Sequence, residues 1–197
     1  FNPGHTNHRP EFCPREARRL AVMTRSDMEG YVNSLTPVGG TYHDIGMIWG
    51  ARFISRGGIF SADNPETHND RPVNRFVIFM TDGDLAPNSD HYVAYGVEYL
   101  DRRIMGGTPG TSVSSGNGSN LERRHTTRFH IACNAAKAGG ASIWSIGFSD
   151  PDDISNIEPL RQCASSSDQF ALSTDSAQLI AKFKEIGKNI GALRLSQ

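Results

Sequence analysis

The stretch "RFVIFMTDGD", residues 75–84, decides the fold. Five apolar residues, Phe76 to Met80, run without interruption into Thr81 and a charged turn that begins at Asp82. A continuous apolar run of this kind is typical of a central strand of a parallel sheet, buried on both faces. Ligands of such sheets bind beyond the carboxyl ends of the strands. We therefore expect Asp82 to lie at the ligand-binding end of the most buried strand.

A second buried strand is predicted at "ASIWSIGF", residues 141–148. A helix predicted at 121–140, ended by Gly139-Gly140, leads directly into it. The two strands and this helix form a strand-helix-strand crossover, which favours an α/β fold with a largely parallel sheet.

Further elements are predicted on either side of this unit. Ser26 and Glu29 have the spacing of a capping box for a helix at 25–37, and Met28, Val32 and Leu35 share one face of it. A strand is predicted at 18–24, a loop at 56–74, a short helix at about 92–103, an exposed Gly/Ser-rich insertion at about 106–120 and a strand at 169–173. A helix is predicted from Thr41 to 55, with apolar residues at helical spacing: Ile45, Ile48, Trp49 and Phe53. The final helix is amphipathic, and its apolar face consists of Leu179, Ile180, Phe183, Ile186 and Ile190.

Composition excludes several classes of protein. The 197 residues fit one domain, 1–197, with enough apolar residues for one core. The 20 basic and 21 acidic residues leave a net charge of -1, which would not attract nucleic acid or an anionic membrane. No apolar stretch is long enough for a spanning helix.

Thr41 and Asp82 are the candidate metal ligands. Thr41 follows a Gly-Gly turn at the predicted start of a helix, and a hydroxyl beside a carboxylate suits Mg²⁺ or Mn²⁺. A helix cap at Thr41 and a plain polar turn at 81–84 are the simpler interpretations. No Lys follows the glycines, so a Walker-type phosphate loop is excluded.

Other metal sites have weaker support. Asp82, Asp84 and Asp90 alternate as in a calcium loop, but the closing Glu is absent. His125 and His130 are five apart on a helix and point in different directions, which argues against zinc.

The remaining polar and aromatic side chains are assigned to surface or core. We expect His43 and the segment "ERRHTTRFH" at 122–130 to lie on helix surfaces, and Trp49 and Trp144 in the core. No nucleophile has a recognisable base: there is no G-x-S-x-G elbow, and Cys133 lies in an apolar helix. We therefore expect a protein that is not an enzyme.

The "GGT" at 39–41 and the "TDG" at 81–83 resemble the second and third motifs of a von Willebrand factor A (vWA) domain. The resemblance implies a Rossmann-like sheet with helices on both faces and a metal-ion-dependent adhesion site (MIDAS) in which Thr41 and Asp82 are ligands. An acidic group of the partner protein would complete the ion's coordination.

A narrower resemblance covers about 20–195. "LTPVGGTYHDIGMIWGARFIS", "FVIFMTDGD", "YVAYGVEYLDRR", "RFHIACNAAKAGGASIWSIGF" and "LRQCA" are similar, in this order, to the C-terminal region of bacterial TadG-type proteins of the tight-adherence (Flp) pilus system. This resemblance implies a protein-binding or adhesion role in pilus assembly, a pilus or cell-surface partner, and a periplasmic or cell-surface location with an upstream membrane anchor.

The sequence departs from the vWA pattern in one respect. The family's first motif, Asp-x-Ser-x-Ser on the central first strand, is absent, and "SDPDDIS" at 149–155 has the wrong spacing. Without that strand two apolar strand edges would be exposed. We expect residues 1–197 to be the C-terminal part of a larger chain, or to pack against a partner strand.

The residues alone leave the state of Cys13, Cys133 and Cys163 open between reduced thiols and one disulfide with one cysteine left over. The TadG resemblance implies an oxidising compartment and a Cys133–Cys163 bond, with Cys13 paired upstream or free.

The alternative function is a metal-assisted hydrolase on a doubly wound α/β fold, with Asp82 and Asp84 as ligands. It requires a general base near Asp82, and the sequence offers none.

Overall fold

The structure, a computed structural model, describes residues 15–36, 40–115, 118–148 and 157–195, with side chains up to Gly191. Six α-helices lie within these residues: α1 (Arg25–Asn33), α2 (His43–Phe53), α3 (Glu98–Asp101), α4 (Asn120–Ala138), α5 (Ile157–Cys163) and α6 (Ser176–Leu195). The strands of the same ranges are β1 (Thr67–His68), β2 (Arg71–Pro72), β3 (Arg75–Thr81), β4 (Tyr92–Val93), β5 (Gly96–Val97), β6 (Ala141–Phe148) and β7 (Phe170–Ser173).

The chain forms two compact units. The first comprises 1–42 and 85–125, and the second comprises 43–84 and 126–197. The described part of the first unit contains α1, the antiparallel β4–β5 hairpin and α3. The second contains a parallel three-stranded sheet in the order β3-β6-β7 and the short antiparallel β1–β2 hairpin. The predicted α/β class with a parallel sheet is confirmed.

Helices lie on both faces of the three-stranded sheet. Successive residues of a strand point to opposite faces, and on β6 Ile143 packs into a cluster with α2, α4 and α5, whereas Trp144 and Ile146 pack against Ile186 of α6. The first cluster also includes Met47, Phe129 and Leu160. The core therefore surrounds β6.

The sequence predicted that β3 is the most buried strand, and this prediction is wrong. Among the described residues it pairs only with β6, in the parallel register Arg75↔Ala141 to Thr81↔Gly147, and it forms the edge of the sheet. Ile78 and Met80 are 39% and 49% exposed. The apolar run correctly indicated a strand with little polar surface, but it could not distinguish a central strand from an edge strand.

The first unit differs from the prediction in two places. Residues 18–24 form no strand, and Leu20 and Val22 are exposed. Residues 92–103 form the β4–β5 hairpin and the short α3 instead of one helix, because Gly96, at φ +89°, places the chain in a turn that a helix cannot contain.

A helix beginning at Arg25 is confirmed, but it ends at Asn33 instead of reaching residue 37, and its cap is different. Thr24 caps α1 by accepting the amide hydrogen of Asp27, and the Asp27 carboxylate accepts the amide hydrogen of Thr24 in return. This is the reciprocal capping box expected of Ser26 and Glu29, placed two residues earlier. The predicted apolar face of Met28, Val32 and Leu35 is exposed.

Helix α2 begins at His43, two residues after the predicted start at Thr41. Its buried residues are His43, Asp44 and Met47, not the predicted Ile45 and Trp49. Trp49, predicted to lie in the core, is 40% exposed, and the Arg52 guanidinium lies 4.8 Å from its ring centroid. The helix has apolar residues on more than one side, so periodicity did not identify the side that meets the sheet.

The elements around β6 follow the predictions closely. Ser119 caps α4 by accepting the amide hydrogen of Glu122, and the helix ends at Gly139-Gly140, where Gly140 has φ +81°. Trp144 is buried, as predicted. Helix α6 buries Ile186 on the sheet, but Ile180 and Phe183, which were predicted on the same apolar face, are exposed. Of the predicted insertion at about 106–120, residues 106–115 are almost entirely exposed, whereas Ser119 is buried and Asn120 already begins α4.

Candidate functional site

Asp82 lies at the carboxyl end of β3, as predicted, and its side chain is exposed. The turn that carries it, Thr81–Asp84, is held by the Thr81 hydroxyl, which accepts the Gly83 amide hydrogen at 3.3 Å and lies 3.1 Å from the Gly83 carbonyl oxygen. Asp84 is half-buried two residues further on. The turn therefore presents the Asp82 carboxylate to solvent from a backbone that is locally braced.

Thr41 lies in the first unit, two residues before α2 begins, and is half-buried. Its carbonyl oxygen accepts the amide hydrogen of Ala86 at 3.0 Å. A Cβ at Gly40 would lie 2.6 Å from the Ala86 carbonyl oxygen, so the glycine permits a close approach of two backbone segments. Packing against Ala86 thus explains why residue 40 is a glycine. Thr41 is not the first residue of a helix.

Thr41 and Asp82 belong to different units, and Asp90 belongs to the same unit as Thr41. Within the described residues, no group of three or more His, Cys, Asp and Glu side chains could hold a metal ion. The hydroxyl and the carboxylate have the chemistry of Mg²⁺ ligands, but they supply only two of the six positions that this ion requires.

The prediction that His43 lies on a helix surface is wrong: His43 and the next residue, Asp44, are buried with 5% and 0% exposure. The His43 ring packs between Phe79 at 5.7 Å and Phe129 at 5.5 Å, measured between ring centroids. Its Nε2 lies 3.2 Å from the Gly83 carbonyl oxygen. Burial lowers the pKa of His43, and the hydrogen bond to Gly83 opposes that shift.

Asp44 forms an ion pair with Arg128 of α4, whose Nε lies 3.5 Å from the carboxylate. The segment predicted to be a solvated helix face, 122–130, contains Arg128 and also the buried His125 and Phe129. Spacing could have revealed both errors. His43 and Met47 are four residues apart on one face of α2, and His125, Phe129 and Ala132 lie on one face of α4.

His43 is the histidine that the structure brings to the Asp82 turn, and it is a poor general base. Its ring is enclosed by two phenylalanines, and Nε2 is occupied by the Gly83 carbonyl. A base must reach its substrate's proton directly or through one water. The hydrolase alternative therefore gains no base from this residue.

Cys133 of α4 and Cys163 of α5 lie at disulfide distance, with the sulfurs 2.03 Å apart. Both are fully buried against the first core cluster. The pair is the one that the TadG resemblance implies. Cys13 and the carboxylates Asp152 and Asp153 lie outside the described residues.

Comparisons with known proteins do not assign the chain to a family. A scan against protein-family models, a search of curated proteins and a search of solved structures each find no match. None of the helices described here is long and apolar enough to cross a membrane.

Proposed function

We propose that this chain is a non-enzymatic, protein-binding module of the vWA type that acts in the assembly of tight-adherence pili or in surface adhesion, as a TadG-like component. The turn at the carboxyl end of β3 is its binding site. The vWA resemblance implies that Asp82 and Thr41 are ligands of a Mg²⁺ or Mn²⁺ site that an acidic group of the partner completes.

The position of β3 carries this proposal. In the described residues the strand has one partner, β6, and its other edge accepts no strand. A parallel strand added at that edge would end beside Asp82, because the carboxyl ends of parallel strands gather at one side of a sheet. Such a strand could supply the ligands that the described residues lack, and an upstream segment of the same protein is the occupant that the resemblance implies.

Exposed side chains on β3 support the same interpretation. Ile78 and Met80 are the register partners of Trp144 and Ile146, which α6 covers. Apolar residues on one face of a parallel strand are normally covered by a helix. An added strand with its own helix would bury both.

The cysteine pair supports the proposed location. A buried disulfide between α4 and α5 forms and persists in oxidising compartments such as the periplasm. Anchoring by an upstream membrane segment is part of the proposal.

Binding of Mn²⁺ and of isolated tight-adherence pili tests the proposal. We expect the protein together with its upstream segment to bind Mn²⁺, detected by paramagnetic broadening of its amide resonances, and to co-sediment with pili in Mg²⁺ but not in a chelator. Asp82→Ala and Thr41→Ala should abolish both effects. Asp168→Ala is the matched control, because this exposed carboxylate precedes β7 at the opposite ends of the strands.

Each outcome separates the parts of the proposal. If pilus binding persists in the chelator and in both variants, the ion site is refuted and the domain binds pili as a metal-free scaffold. No co-sedimentation under any condition would refute the pilus-binding role.

A further inference from the structure

We propose that His43 is a positioning residue for the Asp82 turn: its ring N–H holds the Gly83 carbonyl and so fixes the backbone from which Asp82 projects. This inference rests on the proposed function only in its claim that the turn binds a ligand. The structural role of His43 can be tested by itself.

The hydrogen bond defines which ring nitrogen carries the proton. The Gly83 carbonyl oxygen can only accept, so the Nε2 atom 3.2 Å away must donate. The neutral ring then carries its hydrogen on Nε2 and none on Nδ1. His43 therefore acts as a directional donor and not merely as a filler of space.

The surroundings of the ring prevent it from turning away. Phe79 meets it edge-on at an interplanar angle of 81°, and Phe129 lies on α4 at 57°. The next residue, Asp44, is tied to Arg128 of the same helix. Side chains of α2, β3 and α4 thus converge on one imidazole, and the donor is oriented before any ligand arrives.

The turn needs this second support. Thr81 braces Gly83 from within the turn through its hydroxyl, but Asp82 and Gly83 are both exposed to solvent. Exposed turns with few hydrogen bonds open readily. His43 adds a bond from the buried core to the residue immediately after Asp82, which limits the orientations available to the Asp82 side chain.

Substitutions at His43 distinguish the donor from the ring. His43→Leu removes the donor and keeps an apolar side chain, whereas His43→Gln places an amide N–H close to the position of Nε2. His130 provides the matched control, because its Nε2 lies 3.2 Å from the Pro159 carbonyl oxygen in a different loop. The same two substitutions at His130 should leave exchange in the Asp82 turn unchanged.

The primary measurement is the amide hydrogen exchange rate of Gly83, whose amide donates to the Thr81 hydroxyl, by NMR without added metal. We expect His43→Leu to raise this rate by about fivefold, because the turn opens more often when it loses one net hydrogen bond, and His43→Gln to restore most of the protection. Equal exchange in wild type and both variants would overturn the proposal. Equal loss of protection in His43→Leu and His43→Gln, spread over the whole sheet, would also overturn it and make His43 a packing residue only.

A second measurement needs no variant, in case His43→Leu does not fold. Ring ¹⁵N shifts of wild-type His43 at neutral pH should show the tautomer with hydrogen on Nε2. The opposite tautomer would overturn the proposal.

Mn²⁺ broadening separates this inference from the proposed function. If the His43 substitutions change the Gly83 exchange rate as expected, but neither the wild type nor any variant binds Mn²⁺, the positioning role stands and the ion site is refuted. If Mn²⁺ binding depends on Asp82 but neither exchange nor binding responds to His43, the ion site stands and the positioning role is refuted.

Discussion

The Arg128 guanidinium lies 3.5 Å from the carboxylate of Asp44, which has no exposed surface, while Arg128 itself reaches solvent. The pair joins the first turn of α2 to the middle of α4 beside the core cluster. A buried charge that loses its partner costs far more than the intact pair contributes. The pair therefore constrains how the two helices pack in this unit.

Removing Arg128 should destabilise the protein strongly. We expect Arg128→Met to lower the free energy of unfolding by about 2–4 kcal/mol, measured by urea denaturation. Because Asp44→Asn removes the buried charge, the double variant should lose less than the sum of the two single losses. Strictly additive losses would contradict a direct interaction.

Arg75 joins the ends of two helices to the start of β3. Its guanidinium donates to the carbonyl oxygens of Ile54, at 2.6 Å, and Gly139, which directly follow α2 and α4. Burial, and then the nearby charge of Arg56, lower the pKa of Arg75. We expect Arg75→Met to cost about 2–3 kcal/mol by urea denaturation, since hydrogen bonds from a charged donor are lost.

Arg75→Lys should recover only part of that loss, because an ammonium cannot reproduce the planar fork of donors. Arg71→Met, on the exposed strand β2, is the control and should change little. A similar loss at Arg71 would contradict the assignment.

The sequence predicted the elements around β6 but not how buried β3 or α2 would be. β6 and β7 are short apolar segments with glycine or turn residues at their ends, so their local signals agree with their packing. The bounds of α4 were predicted in the same way, but the burial of His125 and Phe129 within it was not. β3 has the continuous apolar run that is typical of a central strand. How exposed its side chains are depends on what lies at its other edge, which the run itself does not show. Polarity alone placed His43 on a helix surface, although its spacing of four residues from Met47 places it on the buried face.

Gly40 should not tolerate a side chain. We expect Gly40→Ala to cost about 1–3 kcal/mol, because its Cβ would overlap the Ala86 carbonyl oxygen and force the 85–88 segment away. Gly30→Ala is the contrasting variant: no atom lies within 4 Å of its Cβ position in α1, and it should stabilise the helix by about 0.5–1 kcal/mol. Thermal denaturation followed by circular dichroism measures both. Opposite signs are expected, and equal losses would be inconsistent with this explanation.

The Cys133–Cys163 bond should make a large contribution to stability. The bond closes a loop over a sequence separation of 30 residues, so its loss should cost about 2–4 kcal/mol. A reductant should lower the urea midpoint of the wild type and have no effect on the Cys133→Ala/Cys163→Ala variant. Cys13→Ser should behave as wild type. Alkylation of both Cys133 and Cys163 in denatured protein without reductant would rule out the bond.

Asp27 should make α1 sensitive to acid. Hydrogen bonds from the Thr24 side chain, and then from its backbone, lower the pKa of Asp27 below its ordinary value of 3.8. The ionised carboxylate is thus favoured in the folded state, so its contribution is present above pH 3.8 and is lost as the pH falls through the lowered value.

Comparing wild type with Asp27→Asn checks this expectation. The difference between their free energies of unfolding should be largest near pH 6 and should shrink below pH 4. Glu29→Gln, on the same exposed helix, controls for general charge effects. A difference that does not vary with pH would show that the carboxylate's charge is not what caps the helix.

The register of β3 with β6 also governs how the protein is made. Arg75 pairs with Ala141, so β3 leaves the ribosome about 66 residues before its partner, a wait of roughly 3–13 s at normal rates of synthesis. During that interval the apolar run from Phe76 to Met80 has no strand of the described sheet to join. Nascent chains of this protein should therefore be clients of ribosome-associated chaperones, with release expected once β6 has emerged.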